Sequence, residues 1–298
     1  MYKCIFLLTL IASLVFAQAN KNELETTPYA QLEFLELKQF PIKNRKIKFD
    51  LSGLTQTNGN IYVISDKKKT PFIYKVDWHQ ALLTEEIPFG ISDKLDIEAI
   101  DSCDDSFYLS NEKNDKFYVV KKGQKTKRLS IDVSDYKKKN TLFNNNMGFE
   151  GIAVDCENQI MYATKEMMPR FILTIDLKSE KVLKRWNIAD TDTFDFTDAK
   201  FENGYLYVLE RSAMLVTKID TKTEKVIGKY SYKNIEQGPG YLFGPALHAQ
   251  GEAFLLTQDE IWIGFDNNGL KATQKSQKDL GLKGRDPLIV KFKRPANF

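Results

Sequence analysis

Residues 147–176 read MGFEGIAVDCENQIMYATKEMMPRFILTID, and approximations of this stretch recur four more times along the chain. The repeats open on LSGL, IEAI, FEGI, TDAK and GEAF, which begin at residues 51, 97, 149, 197 and 251. Each opening leads through turn residues into strands that alternate apolar and polar side chains, a pattern typical of hairpins. A period of about 50 residues built from such strands predicts a ring of similar sheets, a β-propeller.

The two ends of the chain complete each other. Repeats 1 to 4 each contain a fourth strand, whereas the fifth repeat stops after its third strand, DPLIVKFK at 286–293. The alternating segment LEFLELKQFPI at 32–42 has no partner of its own. If it pairs with the last strand, the ring closes without a bare sheet edge. We therefore predict an all-β fold, a single propeller of five four-stranded blades closed by the N-terminal strand; a sixth, degenerate blade is the alternative.

The N-terminus has the pattern of an export signal. Residues 1–17 contain a lone Lys3, an apolar run and a small residue, Ala17, before Gln18, which is typical of a secretory signal peptide. Cys4 opens the apolar run instead of closing it, which disfavours a lipoprotein signal. No later segment is long and apolar enough for a membrane helix. We expect a secreted or periplasmic protein whose propeller domain spans residues 18–298.

Charge and composition exclude several classes of site. The 43 Lys and Arg nearly balance the 40 Asp and Glu, so we predict no nucleic-acid partner. His79 and His248 are the two histidines, which excludes a three-histidine zinc site. Cys103 and Cys156 occupy almost the same place in adjacent repeats. Equivalent positions of neighbouring blades are usually farther apart than the roughly 7 Å between Cα atoms that a disulfide allows, so we expect two free thiols.

Acidic residues recur at two positions of the repeat. One opens the first strand and the other closes the second, and a four-stranded meander brings both positions to the same end of a blade. First strands line the channel, where converging carboxylates raise their pKa or hold a cation, and oxygen ligands favour calcium. The predicted metal ligands are Glu98, Glu150, Asp198 and Glu252, with Ser52 at the fifth opening position. The predicted second shell is Asp66, Glu112, Glu166, Glu210 and Asp266. The alternative is that these acids only mark exposed strand ends.

Three long interblade loops, at 135–147, 189–196 and 234–250, fall on the same face. Three lysines in the first would hold phosphate or another anion above a cation, helped by Arg170 and Arg211, each shortly after a closing acid; a solvated charge run is the alternative. Conventional catalytic motifs are absent from the sequence. The candidate catalytic residues are His248, as a general base at the rim, and the neighbouring Glu252; for His248 a packing role is the alternative.

The run NNMGFEGIAVDCENQIMYATKEMMPRFILTID resembles SdiA-regulated-domain propellers. FDLSGLTQTNGNIYVISD, DIEAID, DFTDAKFENGYLYVLERS and QGEAFLL resemble the other blades of that family, over roughly residues 48–293. FEGIA and LYVLERS are also similar to the esterase-like-phytase family. The most specific part is GFEGIA followed by Lys165, Glu166, Pro169 and Arg170. The resemblance implies an exported propeller with calcium at the channel mouth and with Lys165 among the ligand-binding residues.

Regucalcin and gluconolactonase propellers are more distantly similar, with a metal-binding glutamate at the place of Glu98 and Glu150. This chain lacks their asparagines at opening positions, which argues against lactone hydrolysis. We predict an exported calcium-binding propeller, a monomer, that holds a small anionic or ester ligand at the mouth. Metal-assisted hydrolysis of an ester or phosphoester, non-catalytic binding of a sugar, peptide or protein partner, and a purely structural use of calcium stay open as alternatives, because fold alone does not decide function.

Overall fold

The protein is described by a computed structural model that covers residues 29–42, 48–136, 148–167, 170–188, 190–191, 195–236, 242–246 and 249–298. The predicted signal peptide, the domain boundary after residue 17 and His248 lie outside these ranges. The three lysines of the 135–147 loop also lie outside them. Within these ranges, no helix combines the length and apolarity needed to cross a membrane.

Five sheets contain the four-stranded antiparallel blades, numbered here 1 to 5 in chain order and written from the innermost strand outward; the sheet of blade 4 has one further short strand at its outer edge. Blade 1 contains Leu51–Thr57, Asn60–Ser65, Phe72–Asp77 and Leu82–Pro88. Blade 2 contains Ile97–Cys103, Ser106–Asn111, Lys116–Lys121 and Lys127–Arg128, and blade 3 contains Phe149–Asp155, Ile160–Lys165, Ile172–Asp176 and Lys181–Trp186. Blade 4 contains Asp198–Glu202, Tyr205–Glu210, Leu215–Asp220 and Lys225–Ser231. Blade 5 contains Gly251–Leu256, Glu260–Phe265, Leu288–Lys293 and Glu33–Gln39.

The N-terminal strand closes the ring as predicted. Glu33–Gln39 pairs antiparallel with Leu288–Lys293, so that Glu33 lies opposite Lys293 and Gln39 opposite Leu288. The five-blade interpretation is thereby confirmed. The remaining elements of the described ranges are the strands Ala30–Gln31, Phe243–Gly244 and Lys271–Ala272, the helices Lys233–Glu236 and Gln274–Leu280, and the 3-10 helix Ser134–Tyr136.

The five inner strands pack side by side around the central channel. Hydroxyl groups link neighbouring blades there: Ser52 donates to the carbonyl of Ile97 at 3.1 Å, and Ser110 donates to that of Phe149 at 2.7 Å. Apolar side chains such as Ile152 and Phe171 fill the space between blades and are almost fully buried. This packing fixes the inner strands and therefore the side chains that they present to the channel.

Lys200 of blade 4 extends into the channel. Its ammonium group donates to Asp198 Oδ1 at 3.0 Å and to the carbonyl oxygen of Ile100 in blade 2 at 3.2 Å. Blades 2 and 4 are not neighbours in the ring, so the side chain crosses the channel to reach Ile100. Lys200 is only 5% exposed, and an ammonium group buried in this way requires a partner such as Asp198.

The expectation of two free thiols is wrong, because Cys103 and Cys156 form a disulfide. Their Cα atoms are 5.6 Å apart, which is within the range that a disulfide allows. The prediction assumed a full blade width between equivalent positions. Cys103 ends the innermost strand of blade 2 and Cys156 directly follows that of blade 3, and inner strands converge on the ring axis. The bridge ties these blades together at the end of the inner strands opposite the opening acids.

Candidate functional site

The innermost strands of four blades begin with a β-bulge. In blade 3, Phe149 pairs with Lys165 and Gly151 with Thr164, which leaves Glu150 between them without a partner in the ladder. The same irregularity leaves out Ser52, Glu98 and Glu252 in blades 1, 2 and 5. Because a bulge redirects a side chain and interrupts pairing, the opening residues of these four blades project from the strand at the channel mouth.

The closing acids lie at the same end of their blades as the opening acids. The backbone N–H of Glu112 donates to the carbonyl of Asp96 at 2.9 Å, and that of Glu166 donates to the carbonyl of Gly148 at 3.1 Å. Asp96 and Gly148 each stand two residues before an opening glutamate. The two acidic positions of one repeat are therefore neighbours at the mouth.

Two clusters of three carboxylates form where an opening glutamate meets the closing acid of the preceding blade. The first cluster consists of Asp66, Asp96 and Glu98, and the second consists of Glu112, Glu150 and Glu166. In each cluster, one oxygen per residue lies within 4.8 Å of the others. Opening and closing acids thus stand together in each cluster as potential ligands of one ion.

Gly148 makes the second cluster sterically possible. Its N–H donates to Glu112 Oε1 at 3.1 Å. A Cβ atom at this position would lie 2.5 Å from Glu112 Cγ, so a larger residue would displace the glutamate. Gly151, on the other side of Glu150, allows a similar approach, since a Cβ there would lie 3.1 Å from the backbone nitrogen of Ala199.

The pKa values of three clustered glutamates, Glu98, Glu150 and Glu112, are raised. Burial, with repulsion from Asp66 and Glu112, raises the pKa of Glu98 well above its usual range. Burial and repulsion from Glu166 do the same to the pKa of Glu150. Burial raises the pKa of Glu112 to about 7, although its hydrogen bond from Gly148 opposes the shift. A bound cation would stabilise the charged forms of all these groups.

Arg211 pairs with acids of blades 3 and 5 and with the aspartate that precedes blade 4. Its guanidinium lies 2.9 Å from Glu166 Oε1 and 2.7 Å from Asp195 Oδ2, and it also pairs with Glu252. Arg211, which follows the second strand of blade 4, therefore links Glu166 of blade 3 to Glu252 of blade 5. Burial raises the pKa of Glu252 to about 7 even though Arg211 lowers it.

Both predicted acids of blade 4, Asp198 and Glu210, lie apart from the clusters. Asp198 pairs directly with Leu209 in an unbroken ladder, and its carboxylate accepts hydrogen bonds from Phe254 N at 2.7 Å and from Lys200. Burial raises the pKa of Asp198 to about 7. Glu210 is fully buried and accepts a hydrogen bond from the Thr217 hydroxyl inside the blade.

Blade 1 provides a second internal cation. Lys67 pairs with Asp50 at 2.9 Å and with Asp66, which closes the second strand of the blade. Asp50 Oδ1 and Asp66 Oδ1 are buried oxygens that accept no hydrogen bond in the described part of the chain. Burial, with repulsion from Asp50 and Glu252, raises the pKa of the closing acid Asp266 well above its usual range.

The predicted ligand-binding cations occupy different environments. Lys165 is only 6% exposed, and burial lowers its pKa beside Asp115, Glu166 and Glu112. The Arg170 guanidinium lies 5.0 Å from the centroid of the Phe196 ring, and Arg211 is held in the carboxylate network. Of these cations, Arg211 contacts the second cluster directly through Glu166, and Lys165 lies beside its acids.

Sequence reasoning missed several charged residues of the mouth. Asp50 and Asp96 stand two residues before an opening position, and Lys67 directly follows a closing acid. Asp195 lies in the loop before blade 4 and fixes Arg211. The offset of two residues before Ser52 and Glu98 was a usable signal for the two aspartates. A basic residue also directly follows the closing acids Glu112 and Glu210, which was a signal for Lys67, but no repeated pattern marks Asp195.

Comparison with known proteins agrees with this architecture. A solved structure of the glutaminyl cyclase of Myxococcus xanthus superposes with a TM-score of 0.59 at 8% identity, covering 90% of this chain and all of that one. A nidogen/laminin complex matches with a TM-score of 0.46 at 14% identity, covering 79% of this chain and 83% of the other. A comparison with curated protein sequences finds no match. The sequence profile of the SdiA-regulated family matches residues 34–238, and the chain therefore belongs to that family.

Proposed function

We propose that this member of the SdiA-regulated family is an exported, calcium-dependent binding propeller with its ligand site at the channel mouth. The observation that carries the proposal is the pair of adjacent three-carboxylate clusters centred on Glu98 and Glu150. Arg211 pairs with Glu166 of the second cluster and Lys67 pairs with Asp66 of the first, so the other four acids of the clusters are the ones that an external ion would balance. We expect the ion on the side of the mouth formed by blades 2 and 3, where these acids lie.

The residues of the clusters suit a hard cation. All the candidate ligand atoms are carboxylate oxygens, which calcium prefers over softer ligands. Asp66 Oδ1 is buried and accepts no hydrogen bond within the described ranges, a state that costs free energy unless a donor or a cation occupies the site. Asp66, Asp96 and Glu98, or Glu112, Glu150 and Glu166, would hold the ion.

A pocket of about 480 Å³ beside the first cluster supports an anionic ligand. Asp66 and Asp96 line it together with Leu95, Lys48 and the lysines at 67–69. Lysines beside a cation-binding cluster favour a ligand with a negative group that reaches both. This combination fits a carboxylate, a phosphate or the carbonyl of an ester better than a neutral sugar.

Hydrolysis would be a further step at the same site. A bound calcium ion supplies polarisation of a carbonyl or phosphoryl oxygen. Glu252, which is outside the two clusters and whose pKa burial raises to about 7, would accept a proton near neutral pH. Lys165 would contribute a positive charge beside Glu112 and Glu150. Without turnover, the same residues constitute a binding site, which is the alternative function.

Export is supported by the disulfide as well as by the N-terminal sequence. Cys103 and Cys156 are bridged, and disulfides persist chiefly in oxidising compartments such as the periplasm and the cell exterior. Residues 1–17 have the composition of a secretory signal. Both observations favour a secreted or periplasmic protein.

Calorimetric titration of calcium into chelator-treated protein tests the proposal. We expect binding together with a rise in melting temperature, and we expect Glu150→Gln and Glu98→Gln to weaken affinity by about tenfold or more. Glu157→Gln, an exposed change in the far turn of blade 3, is the matched control and should bind normally. Unchanged calcium affinity in both Glu150→Gln and Glu98→Gln would contradict the proposal.

The ligand is then sought in the presence and absence of calcium. Carboxylates, phosphoesters and simple esters are titrated and assayed for hydrolysis with the wild-type protein and with Lys68→Gln. Ligand binding that requires calcium and weakens in Lys68→Gln supports the mouth as an anion site. Binding without product formation selects the non-catalytic alternative.

A further inference from the structure

Lys67 lies between the places where the mouth would hold its two ligands. Its ammonium group pairs with Asp66 of the first cluster, and with Asp50 at 2.9 Å. The same side chain lines the pocket of about 480 Å³ beside that cluster. We propose that calcium at the first cluster displaces the Lys67 ammonium from Asp66, and that the displaced group then binds the anionic ligand in the pocket. This coupling rests on the proposed calcium site.

The Lys67 ammonium already takes the place of a cation at the first cluster. It contacts Oδ2 of Asp66, and one oxygen each of Asp66, Asp96 and Glu98 lie within 4.8 Å of one another. The second oxygen of Asp66, Oδ1, is buried and accepts no hydrogen bond within the described ranges. A doubly charged ion on these oxygens would lie close to the ammonium group, and the two cations would repel each other. Calcium and Lys67 therefore compete for Asp66.

Only the side chain of Lys67 has to move. Its carbonyl oxygen accepts hydrogen bonds from the N–H and the hydroxyl of Thr70, at 2.8 and 2.6 Å. Its N–H donates to the Ser65 hydroxyl at 3.3 Å. The side chain, by contrast, is 31% exposed, and the four-carbon stem of a lysine is flexible. The turn after the second strand of blade 1 therefore stays in place while the ammonium group changes partner.

Arg211, the cation that contacts the second cluster, is held more firmly than Lys67. Its guanidinium pairs with three carboxylates, those of Glu166, Asp195 and Glu252, and its side chain is only 16% exposed. A planar guanidinium with several partners is fixed in orientation, whereas an ammonium group is a point charge that can exchange partners. Of the two cations, Lys67 is the one that calcium would displace.

The displaced ammonium group would face the pocket. Asp66 and Asp96 of the first cluster line this pocket together with Lys48 and the lysines at 67–69. Without calcium, Asp50 and Asp66 neutralise Lys67. With calcium on Asp66, Asp50 alone would remain, and the ammonium group could also pair with an anion. Two ligands that favour the same displacement raise each other's affinity by the same factor, so calcium and the anion would bind cooperatively.

Acetylation of lysines in the wild-type protein, mapped by mass spectrometry with and without calcium, tests the displacement. An ammonium group released from a carboxylate and placed near a cation loses its proton more easily, so acetylation of Lys67 should rise several-fold when calcium binds. Lys122, which directly follows the third strand of blade 2 and pairs with Glu86 at 2.8 Å, is the internal control and should not respond.

Calorimetry on the same samples separates the two ways in which this test can fail. Calcium binding without a change at Lys67 overturns the displacement and leaves the proposed function intact. Absence of calcium binding contradicts the proposed function, and the displacement with it.

Variants measure the competition and the coupling. Lys67→Met in a Glu150→Gln background, which disables the second cluster, should bind calcium about fivefold more tightly or better than the background alone. Lys122→Met in the same background should not differ from it. Unchanged or weaker calcium affinity in Lys67→Met overturns the proposal. If Lys67→Met does not fold because Asp50 loses its partner, the acetylation experiment on the wild-type protein decides.

Methylphosphonate is the probe for the anion. Calcium should strengthen its binding more in the wild-type protein than in Lys67→Met, because only the wild-type protein has an ammonium group to release into the pocket. An equal gain in both proteins contradicts the role of Lys67 in the coupling.

Discussion

Blades 3 and 4 have similar opening sequences, but their opening acids occupy different environments. FEGI opens blade 3 and TDAK opens blade 4, and each second strand is followed or closed by a glutamate, Glu166 or Glu210. In blade 3 a bulge releases Glu150 from the ladder toward the mouth. In blade 4 the ladder is unbroken, and Asp198 is paired, buried and bonded to Lys200 and Phe254 N. An acidic residue at the start of an inner strand therefore becomes a mouth residue only where a bulge releases it.

This difference makes the mouth asymmetric. Blades 2 and 3 contribute clustered carboxylates, whereas the sector of blade 4 contributes the guanidinium of Arg211, which reaches Glu166 and Glu252. An external cation would balance Glu98 and Glu150, whereas Glu252 already pairs with Arg211. The following predictions test that division, beginning with the largest expected effect.

The first prediction concerns pH in the absence of metal. Burial raises the pKa values of Glu112 and Glu252 to about 7 in the folded protein, above the roughly 4.3 of an unfolded glutamate. Between these values the folded state binds more protons than the unfolded state, so stability falls as pH rises toward 7. We expect chelator-treated protein to lose about 3–6 kcal/mol in free energy of unfolding between pH 5 and pH 8.

Denaturant unfolding across that pH range measures the effect. Saturating calcium should flatten the profile, because the ion stabilises the ionised carboxylates in place of protons. A metal-free profile that rises steadily with pH would contradict the assignment of raised pKa values to the mouth.

The second prediction concerns the internal cation. Arg211→Met leaves Glu252 and Asp195 buried without their partner, and removing one member of a buried ion pair costs about 3–5 kcal/mol. Denaturant unfolding at neutral pH measures the loss, which should shrink at pH 5 as the carboxyls protonate. Lys184→Met, in an exposed pair with Glu224, is the control and should cost no more than about 0.5 kcal/mol. Equal effects of the two changes would remove the special role of Arg211.

The third prediction concerns the far end of blade 3. The Cys103–Cys156 bridge closes a sequence separation of 53 residues, and its loss in Cys103→Ser should cost about 2–4 kcal/mol. Calcium affinity should stay the same, because the bridge lies at the opposite end of the inner strands. Thermal melting and calorimetry measure the two quantities, and thiol titration of the unfolded wild-type protein checks that the bridge forms. Weakened calcium binding would mean that the two ends are coupled.

The fourth prediction returns to blade 4. Asp198→Asn should reduce stability by about 1–3 kcal/mol, because it weakens the bonds to Lys200 and Phe254 N. Calcium affinity should be unchanged, in contrast to Glu150→Gln. A loss of calcium binding in Asp198→Asn would show that the unbroken ladder does not exclude this residue from the site.

The architecture follows from local patterns, which explains why it could be predicted. Period-2 alternation marks the strands, and the unpartnered segment at 32–42 predicts the closing strand that pairs with Leu288–Lys293. The placement of Glu98 and Glu150 at the mouth also follows, because strand direction alone decides which end of a blade an acid occupies. These inferences need only the order of residues along one repeat.

The contacts between side chains of different blades could not be predicted in this way, because they depend on how the repeats pack against one another. Arg211 has partners 16, 41 and 45 residues away, and no periodic pattern connects them. The missing bulge of blade 4 had one visible trace, a spacing of 12 residues between Asp198 and Glu210 against 14 to 16 in the other repeats. The disulfide was missed because the separation of inner strands near the axis is much smaller than the average blade width.

The position of Lys200 limits passage from the mouth along the central channel. Its side chain crosses the channel to Ile100 and is held by Asp198, so it obstructs the channel beneath the opening acids. A ligand moving from the mouth along the channel would first have to displace Lys200 from Asp198 and Ile100.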